Sequence, residues 1–427
     1  MIKGQKADSQ ILQANGTSLW QLQAALSMGI LYLFYYFCKY NIGPATQAIQ
    51  NQFGFDNRSI GMITTVFTLV YAGGQFVNGF LGDRYGPKTI VIIGGLGGVV
   101  ANIFFGLSGT LTSFVLFWGL NAYFSSMGWS PGCRIMFNWF PENKWGQWMG
   151  IYNALCYSGG AIVLPIVAFS IKHWGWQAAF IVPPAFLLTM TIIFIFLGKN
   201  SPQDVGLLTE WEPVEKQQNA RKVNLSDYTK AFSHPKMILA YITGFGCNFI
   251  RWGLMSWIIK ILHEPVAKGG FGLELMTSAL IASMMHWGGA FFSIVLGIIT
   301  DTIFNGTRWQ TISIGCFLTS GTLLFIGIGP SILHYPGGIS LLGLAMFVAG
   351  GINQGIQSPL FDLPGDILGK ELGSTGAGIL DGWMYVGASF AGYFLGWVLD
   401  SHGLLAGIFL MAMTSAICGV TAMGIRK

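Results

Sequence analysis

Two cations stand where so apolar a chain should have none. Lys39, in the run Tyr35-Tyr36-Phe37-Cys38-Lys39-Tyr40-Asn41, and Arg251, in Phe249-Ile250-Arg251-Trp252, each lie near the middle of a long hydrophobic segment. A cation at that depth in a bilayer costs about 2.5–3.5 kcal/mol on insertion scales, so it needs a carboxylate, an anionic ligand or a wet cavity. Of the 17 acidic residues, sixteen fall at segment ends, in loops or near the N-terminus, and only Asp381 sits well inside a segment. One carboxylate cannot neutralise two cations. The pair reads as an anion-binding site, with structural pairing to Asp381 as the alternative. Arginine offers a planar fork that fits an oxyanion and lysine a compact point charge, which suits phosphate or carboxylate without choosing between them.

Helical spacing puts Tyr32 and Tyr36 on the Lys39 face, and Asn248 three residues before Arg251. Gln75, Asn153, Asn353, Gln354 and Gln357 are polar in apolar surroundings, readable as ligand contacts or as interhelical glue. His286 is the only one of six histidines inside a hydrophobic segment, and is either a protonatable site group or a satisfied core histidine. Closing a cavity over two unpaired cations is costly, whereas closing it over a bound anion is not. That asymmetry would couple reorientation to occupancy.

The elements that must carry these residues follow from composition. The chain has 427 residues, 52% hydrophobic and 9% charged, against about 25% charged in soluble domains. That balance excludes a cytosolic enzyme, a disordered chain and a nucleic-acid binder, and points to a polytopic membrane protein. Helices of about 20 apolar residues cross the hydrocarbon. Spans are expected near 22–48, 60–81, 89–108, 112–139, 146–169 and 176–197, then near 236–260, 275–299, 309–328, 339–361, 373–399 and 403–424. The expected fold class is an all-α membrane protein of twelve transmembrane helices in two pseudo-symmetric six-helix bundles. Residues 1–197 and 236–427 form the bundles, and 198–235 form a cytoplasmic central loop. With the N-terminus inside, sixteen of the 22 Lys and Arg fall on the cytoplasmic side and four, Arg58, Lys172, Lys260 and Lys268, in outer loops. The positive-inside rule therefore puts both termini in the cytoplasm.

Other chemistry is not expected. The six cysteines form no CxxC or CxxH pair and read as small buried hydrophobes. The run Gly94-Gly95-Leu96-Gly97-Gly98 lacks the lysine and hydroxyl residue of a phosphate loop and reads as close helix packing. No nucleophile–base pair, metal-ligand set or cofactor fingerprint is present, so neither an enzyme nor a cofactor is expected, and no cleavable leader is read in the first twenty residues.

The halves echo each other. The aromatic–x–cation–aromatic box around Lys39 recurs 212 residues later around Arg251, Gly79-x-x-x-Asp83 recurs as Gly297-x-x-x-Asp301, and Tyr157-Ser158-Gly159 as Tyr385-Val386-Gly387. Two similar six-helix halves are the build of transporters that rock about a midplane site.

Gly79-Phe-Leu-Gly-Asp83-Arg84-Tyr85-Gly86-Pro87-Lys88 resembles the loop 2–3 signature of the major facilitator superfamily, and Asp301-Thr-Ile-Phe-Asn-Gly-Thr-Arg308 resembles its second-half echo. Met127-Gly128-Trp129-Ser130-Pro131-Gly132-Cys133-Arg134-Ile135-Met136-Phe137-Asn138-Trp139 is similar to the span 4 motif of the organophosphate:inorganic phosphate antiporters. Ser201-Pro202-Gln203 through Gly206-Leu207 and the span 1 box resemble other stretches of the same family.

The resemblance implies a secondary active transporter of a small organic anion, a phosphate ester exchanged for inorganic phosphate, by rocker-switch alternating access. It also implies a bacterial inner membrane protein acting as a monomer, with an anionic small molecule and the lipid bilayer as partners. Substrate contacts are implied for Lys39, Arg251, Tyr32, Tyr36, Gln75, His286 and Tyr385, and Gln354 is expected to join them as a polar residue in an apolar span. Gating or structural roles are implied for Asp83, Arg84, Arg134, Asp301 and Arg308. This chain departs from the glycerol-phosphate carriers: Lys39 replaces an arginine, Gln75 a lysine, Cys156 a histidine, His286 a glutamate and Asp381 a glycine. Two alternatives stay open. One is a proton-coupled symporter of a carboxylate, sugar acid or polyol, with Asp381 or His286 carrying the proton. The other is a transport-incompetent ligand sensor.

Overall fold

A computed structural model describes residues 2–141, 145–207, 225–334 and 336–426, with side chains at all of these except 2–18, 76, 80, 83, 145–147, 225–228, 301 and 369–375. Among the described residues the structure is all helix and loop. The α-helices run α1 Ile2–Tyr40, α2 Ile42–Phe53, α3 Asn57–Tyr85, α4 Pro87–Gly106, α5 Leu111–Trp139, α6 Trp145–Trp174, α7 Val182–Leu197 and α8 Leu225–Ser233. They continue as α9 Pro235–His263, α10 Leu275–Thr302, α11 Arg308–Ile326, α12 Gly338–Gly355, α13 Gln357–Phe390, α14 Tyr393–His402 and α15 Leu404–Met423.

Local chemistry explains several boundaries. The Asp56 carboxylate caps α3 by accepting the Ser59 amide at 2.8 Å, and Thr110 with Ser113 forms a capping box on α5. Span 1 differs from the expected single helix: it is split at Asn41 into α1 and α2, and α1 starts well before residue 22. Pro44, in the first turn of α2, has no N–H for the Tyr40 carbonyl, so the ladder must break there. Spans 10 and 11 share α13, which doubles back on itself. A Cβ on Gly376 would lie 3.0 Å from the Pro364 Cβ, where twelve residues of straight helix would separate them by about 18 Å. Span 10 is thus α12 plus the first arm of α13, and span 11 is the second arm plus α14.

With that folding-back the twelve spans are complete. Among the described residues, eight helical stretches are long and apolar enough to cross a membrane on those grounds alone. Spans 1, 4, 7 and 11 fall short because they bring polar residues inward, among them Lys39, Asn121, Arg251 and Asp381. The outer surface instead exposes large apolar side chains such as Phe196, Leu344, Met413 and Ile417, which water would not tolerate at that density.

The two ends of the molecule differ. At the end carrying the termini, Gln21 donates to the Trp139 carbonyl at 2.9 Å, Trp139 to the Lys199 carbonyl at 3.2 Å and the Lys88 ammonium to the Ile195 carbonyl at 2.8 Å. All of these stay within the first half. At the far end the halves bond to each other. Asn57 donates to Asp400 at 2.7 Å, Gln47 to Glu264 at 3.0 Å, Lys172 to Glu274 at 2.7 Å and Thr65 to the Ser389 carbonyl at 2.8 Å. Lys260, expected in an outer loop, lies instead inside α9 with its side chain largely buried, bonded to Gln50 and, at 2.7 Å, to Asn57.

Candidate functional site

Three tyrosines and a lysine line one face of α1. Tyr32 packs edge-on against Tyr36, with centroids 5.4 Å apart, and Tyr36 edge-on against Tyr40 at 5.0 Å. Among the described residues, no carboxylate lies within ion-pair range of the Lys39 ammonium. It rests 3.9 Å from the ring centroid of Tyr71 on α3, 5.3 Å from Tyr36 and 5.6 Å from Trp252 on α9. A desolvated cation over an aromatic face gains about 2 kcal/mol. The cage crosses the halves, since Trp252 belongs to the second.

Arg251 sits on α9 facing Lys39. It donates to the Gln357 side-chain oxygen at 2.8 Å, its guanidinium carbon is 5.7 Å from the Tyr157 ring centroid, and Tyr36, Tyr40 and Tyr385 lie within its electrostatic reach. Its Nε, buried, makes no hydrogen bond within the protein, and neither does the Gln357 amide nitrogen. Nearly all buried donors in proteins are satisfied, so unspent donors beside a cation mark a place prepared for acceptor oxygens. The ion pairs among the described residues involve neither Lys39 nor Arg251, and Asp381 is no closer than that range.

Both cations face one cavity of about 860 Å³ between the halves, within the range of small-molecule sites. Of the residues singled out in the sequence, Lys39, Arg251, Tyr32, Tyr36, Gln75, Gln354, Tyr385 and Asp381 line it. The first half supplies an aromatic wall and the second a wall of amides. Gln75 accepts the Ser130 hydroxyl at 2.5 Å, and Asn248 ties α9 to α13 through the Met384 carbonyl at 2.8 Å. His286 is not on the lining. It is 1% exposed, stacked on Tyr40 with centroids 5.0 Å apart and 3.4 Å from the Gln354 amide, so it stands behind the lining residue Gln354.

The lining continues past Met149, Ile294, Phe361 and Asp362, so the cavity opens at the end carrying the termini. At that mouth Arg308 pairs with Asp362 at 3.3 Å and with Asp366. Arg84 is exposed over the Tyr85 ring at 5.4 Å, and Arg134 is half-buried on α5. The side chains of Asp83 and Asp301 lie outside the described residues. Spacing singled out neither Tyr71, Trp129 nor Trp252 as a site residue, yet all three line the cavity. Tyr71 stands four residues before Gln75, on the same helical face, and that spacing is the signal that would have found it.

The model of the Major Facilitator Superfamily matches residues 28–392. The chain belongs to the Major Facilitator Superfamily. It is a membrane transport protein and not an enzyme. It is 26% identical to the probable hexose phosphate transport protein of Chlamydia pneumoniae, over 93% of this chain and 89% of that one. It is 26% identical to the membrane sensor protein UhpC of Escherichia coli strain K12, over 95% and 91%. A crystal structure of a point mutant of the nucleoside transporter NupG superposes with a TM-score of 0.76 at 14% identity, covering 96% of this chain and all of that one. The first two relatives bear out the narrower resemblance to the organophosphate:inorganic phosphate antiporters read from span 4.

Proposed function

We propose that the protein carries a small organic anion, a phosphate ester, across the bacterial inner membrane in exchange for inorganic phosphate. The supporting observation is the pair Lys39 and Arg251, one from each half, facing one cavity without a carboxylate partner and beside unspent donors. Relatives named for hexose phosphate, glycerol-3-phosphate and phosphoglycerate transport favour a phosphate ester. Lys39 and Arg251 hold the anion, Gln357, Gln354 and Gln75 complete its hydrogen bonds, and the aromatic wall takes its organic part. Residues 1–197 and 236–427 are the two rocking bodies, joined by 198–235. With both termini cytoplasmic, the cavity faces inward and the cross-half bonds at the far end form the outer seal. The protein works as a monomer. Proteoliposomes loaded with phosphate should take up external labelled phosphate or hexose 6-phosphate by counterflow. Correctly folded protein that shows no counterflow contradicts the exchange.

A proton-coupled symporter is favoured by one observation, the carboxylate of Asp381 on the cavity wall. That mode gives uptake into empty vesicles that a protonophore abolishes. The sensor protein among the relatives supports a third reading, in which the ligand binds without flux.

A further inference from the structure

Three fully buried asparagines meet behind Lys39, and the transport mechanism above does not use them. Asn41 sits at the break in span 1, Asn102 on α4 and Asn121 on α5, and all three are 0% exposed. Asn121 donates to the Cys38 carbonyl at 2.8 Å. Asn102 donates to the Asn121 side-chain oxygen and to the Gly98 carbonyl, each at 2.9 Å, and approaches the Cys38 carbonyl at 3.4 Å. Asn41 donates to the Asn102 side-chain oxygen and to the Ala179 carbonyl, each at 2.8 Å. The group they converge on is the carbonyl bonded to the Lys39 nitrogen. In an unbroken helix that carbonyl would serve the Ile42 amide.

Packing alone does not call for this arrangement. Burying an amide without partners costs free energy, and an apolar side chain of similar volume would fill the same space more simply. Nor does the second half repeat it, because α9 runs uninterrupted from Pro235 to His263 past Arg251. The device therefore belongs to the cation that stands two residues before a helix break. A break frees the chain end to swing, and a charge displaced by an ångström loses much of its value to a ligand.

We infer that Asn121, backed by Asn102 and Asn41, is a positioning residue that clamps the Cys38–Lys39 peptide and so fixes where Lys39 presents its charge. The inference rests on the reading that Lys39 holds the anion. It places Asn121 in the same functional unit as Lys39 and outside that of Arg251. Removing the clamp matters only while the lysine is there to be aimed.

A double-mutant cycle on the purified full-length protein tests this, with inorganic phosphate as the probe and calorimetry as the readout. Lys39→Gln should lower the affinity about tenfold or more, the worth of one charged hydrogen bond. Asn121→Leu alone should lower it by roughly threefold to tenfold. In the Lys39→Gln background Asn121→Leu should add less than about twofold, whereas in the Arg251→Lys background it should keep its full factor. The same factor in both backgrounds means a general structural role and overturns the inference. If Asn121→Leu does not fold, Asn102→Leu, which loses two donors to the same cluster, is carried through the same cycle. Wild-type protein that does not bind phosphate, or Lys39→Gln that binds it equally well, defeats the anion-site reading itself and the positioning role with it.

Discussion

The two cations are held in different ways, and the difference governs what each substitution does. Lys39 leans on aromatic faces at 3.9 to 5.6 Å, contacts that any ammonium in the same place would make. Arg251 spends one donor on Gln357 and keeps Nε free, which needs the guanidinium fork. Arg251→Lys keeps the charge and loses the fork, so phosphate affinity should fall about tenfold or more, with about 1.5–3 kcal/mol at stake in hydrogen bonds to a charged group. Calorimetry reads it, and the unfolding temperature without ligand should stay near wild type. The positions of both cations were legible because no other residue type stands out so sharply from an apolar run. Their partners were less so. Trp252 reaches Lys39 only because the halves approach, and no spacing within one helix records that. His286 stood out for the same reason Lys39 did, being polar mid-span, but here its ring stacks on Tyr40 from the opposite half and is off the cavity lining.

Helix ends are set by local chemistry that a single substitution can test. The Asp56 carboxylate accepts both the hydroxyl and the amide of Ser59, at 2.6 and 2.8 Å, and those donors hold its carboxyl below the usual range. A depressed carboxyl stabilises the folded state above its unfolded pKa, and the contribution is lost as pH falls through the lower folded value. Asp56→Ala should cost about 1 kcal/mol at neutral pH, the usual worth of an N-cap. The gap from wild type should narrow as the solution is acidified from neutral pH through the lowered value of this carboxyl. Thermal unfolding at neutral and acidic pH measures it. Spans stood out in the sequence wherever a run was apolar and bounded by caps or prolines. The break at Asn41 did not, although Pro44 was visible, because a proline in a first turn is tolerated in most helices. The sequence separated spans 10 and 11 near 362–372, but nothing in it showed that one helix, α13, would serve both.

The whole molecule shows one conformation, open at the end carrying the termini and sealed at the other. The seal is both polar and steric. Lys260 bridges Gln50 and Asn57 of the opposite half, and a Cβ on Gly61 would fall 2.5 Å from the Gly392 carbonyl oxygen. Lys260→Met should loosen this closure, and Gly61→Val should force it apart. Spin labels at Gln52→Cys and Ser401→Cys, one on each side of the seal, should then report longer separations than in the parent protein. Unchanged separations in both variants would mean that these contacts do not hold the end closed. Two bundles of six spans could be read from periodicity and the repeated boxes. Which end stands open could not, because one sequence must support both states and the choice rests on a few kcal/mol of contacts between the halves.

The central claim is that a cation from each half binds one anion in the cavity between them. The most direct measurement is ligand-induced stabilisation of purified protein by inorganic phosphate and hexose 6-phosphate, for wild type, Lys39→Met and Arg251→Met. A ligand at a hundredfold excess over its dissociation constant stabilises by about 2.7 kcal/mol. Wild type should show a rise in unfolding temperature with added anion, and each single variant should lose most of it. Stabilisation that survives undiminished in both variants, or fails to appear in folded wild-type protein, contradicts the account.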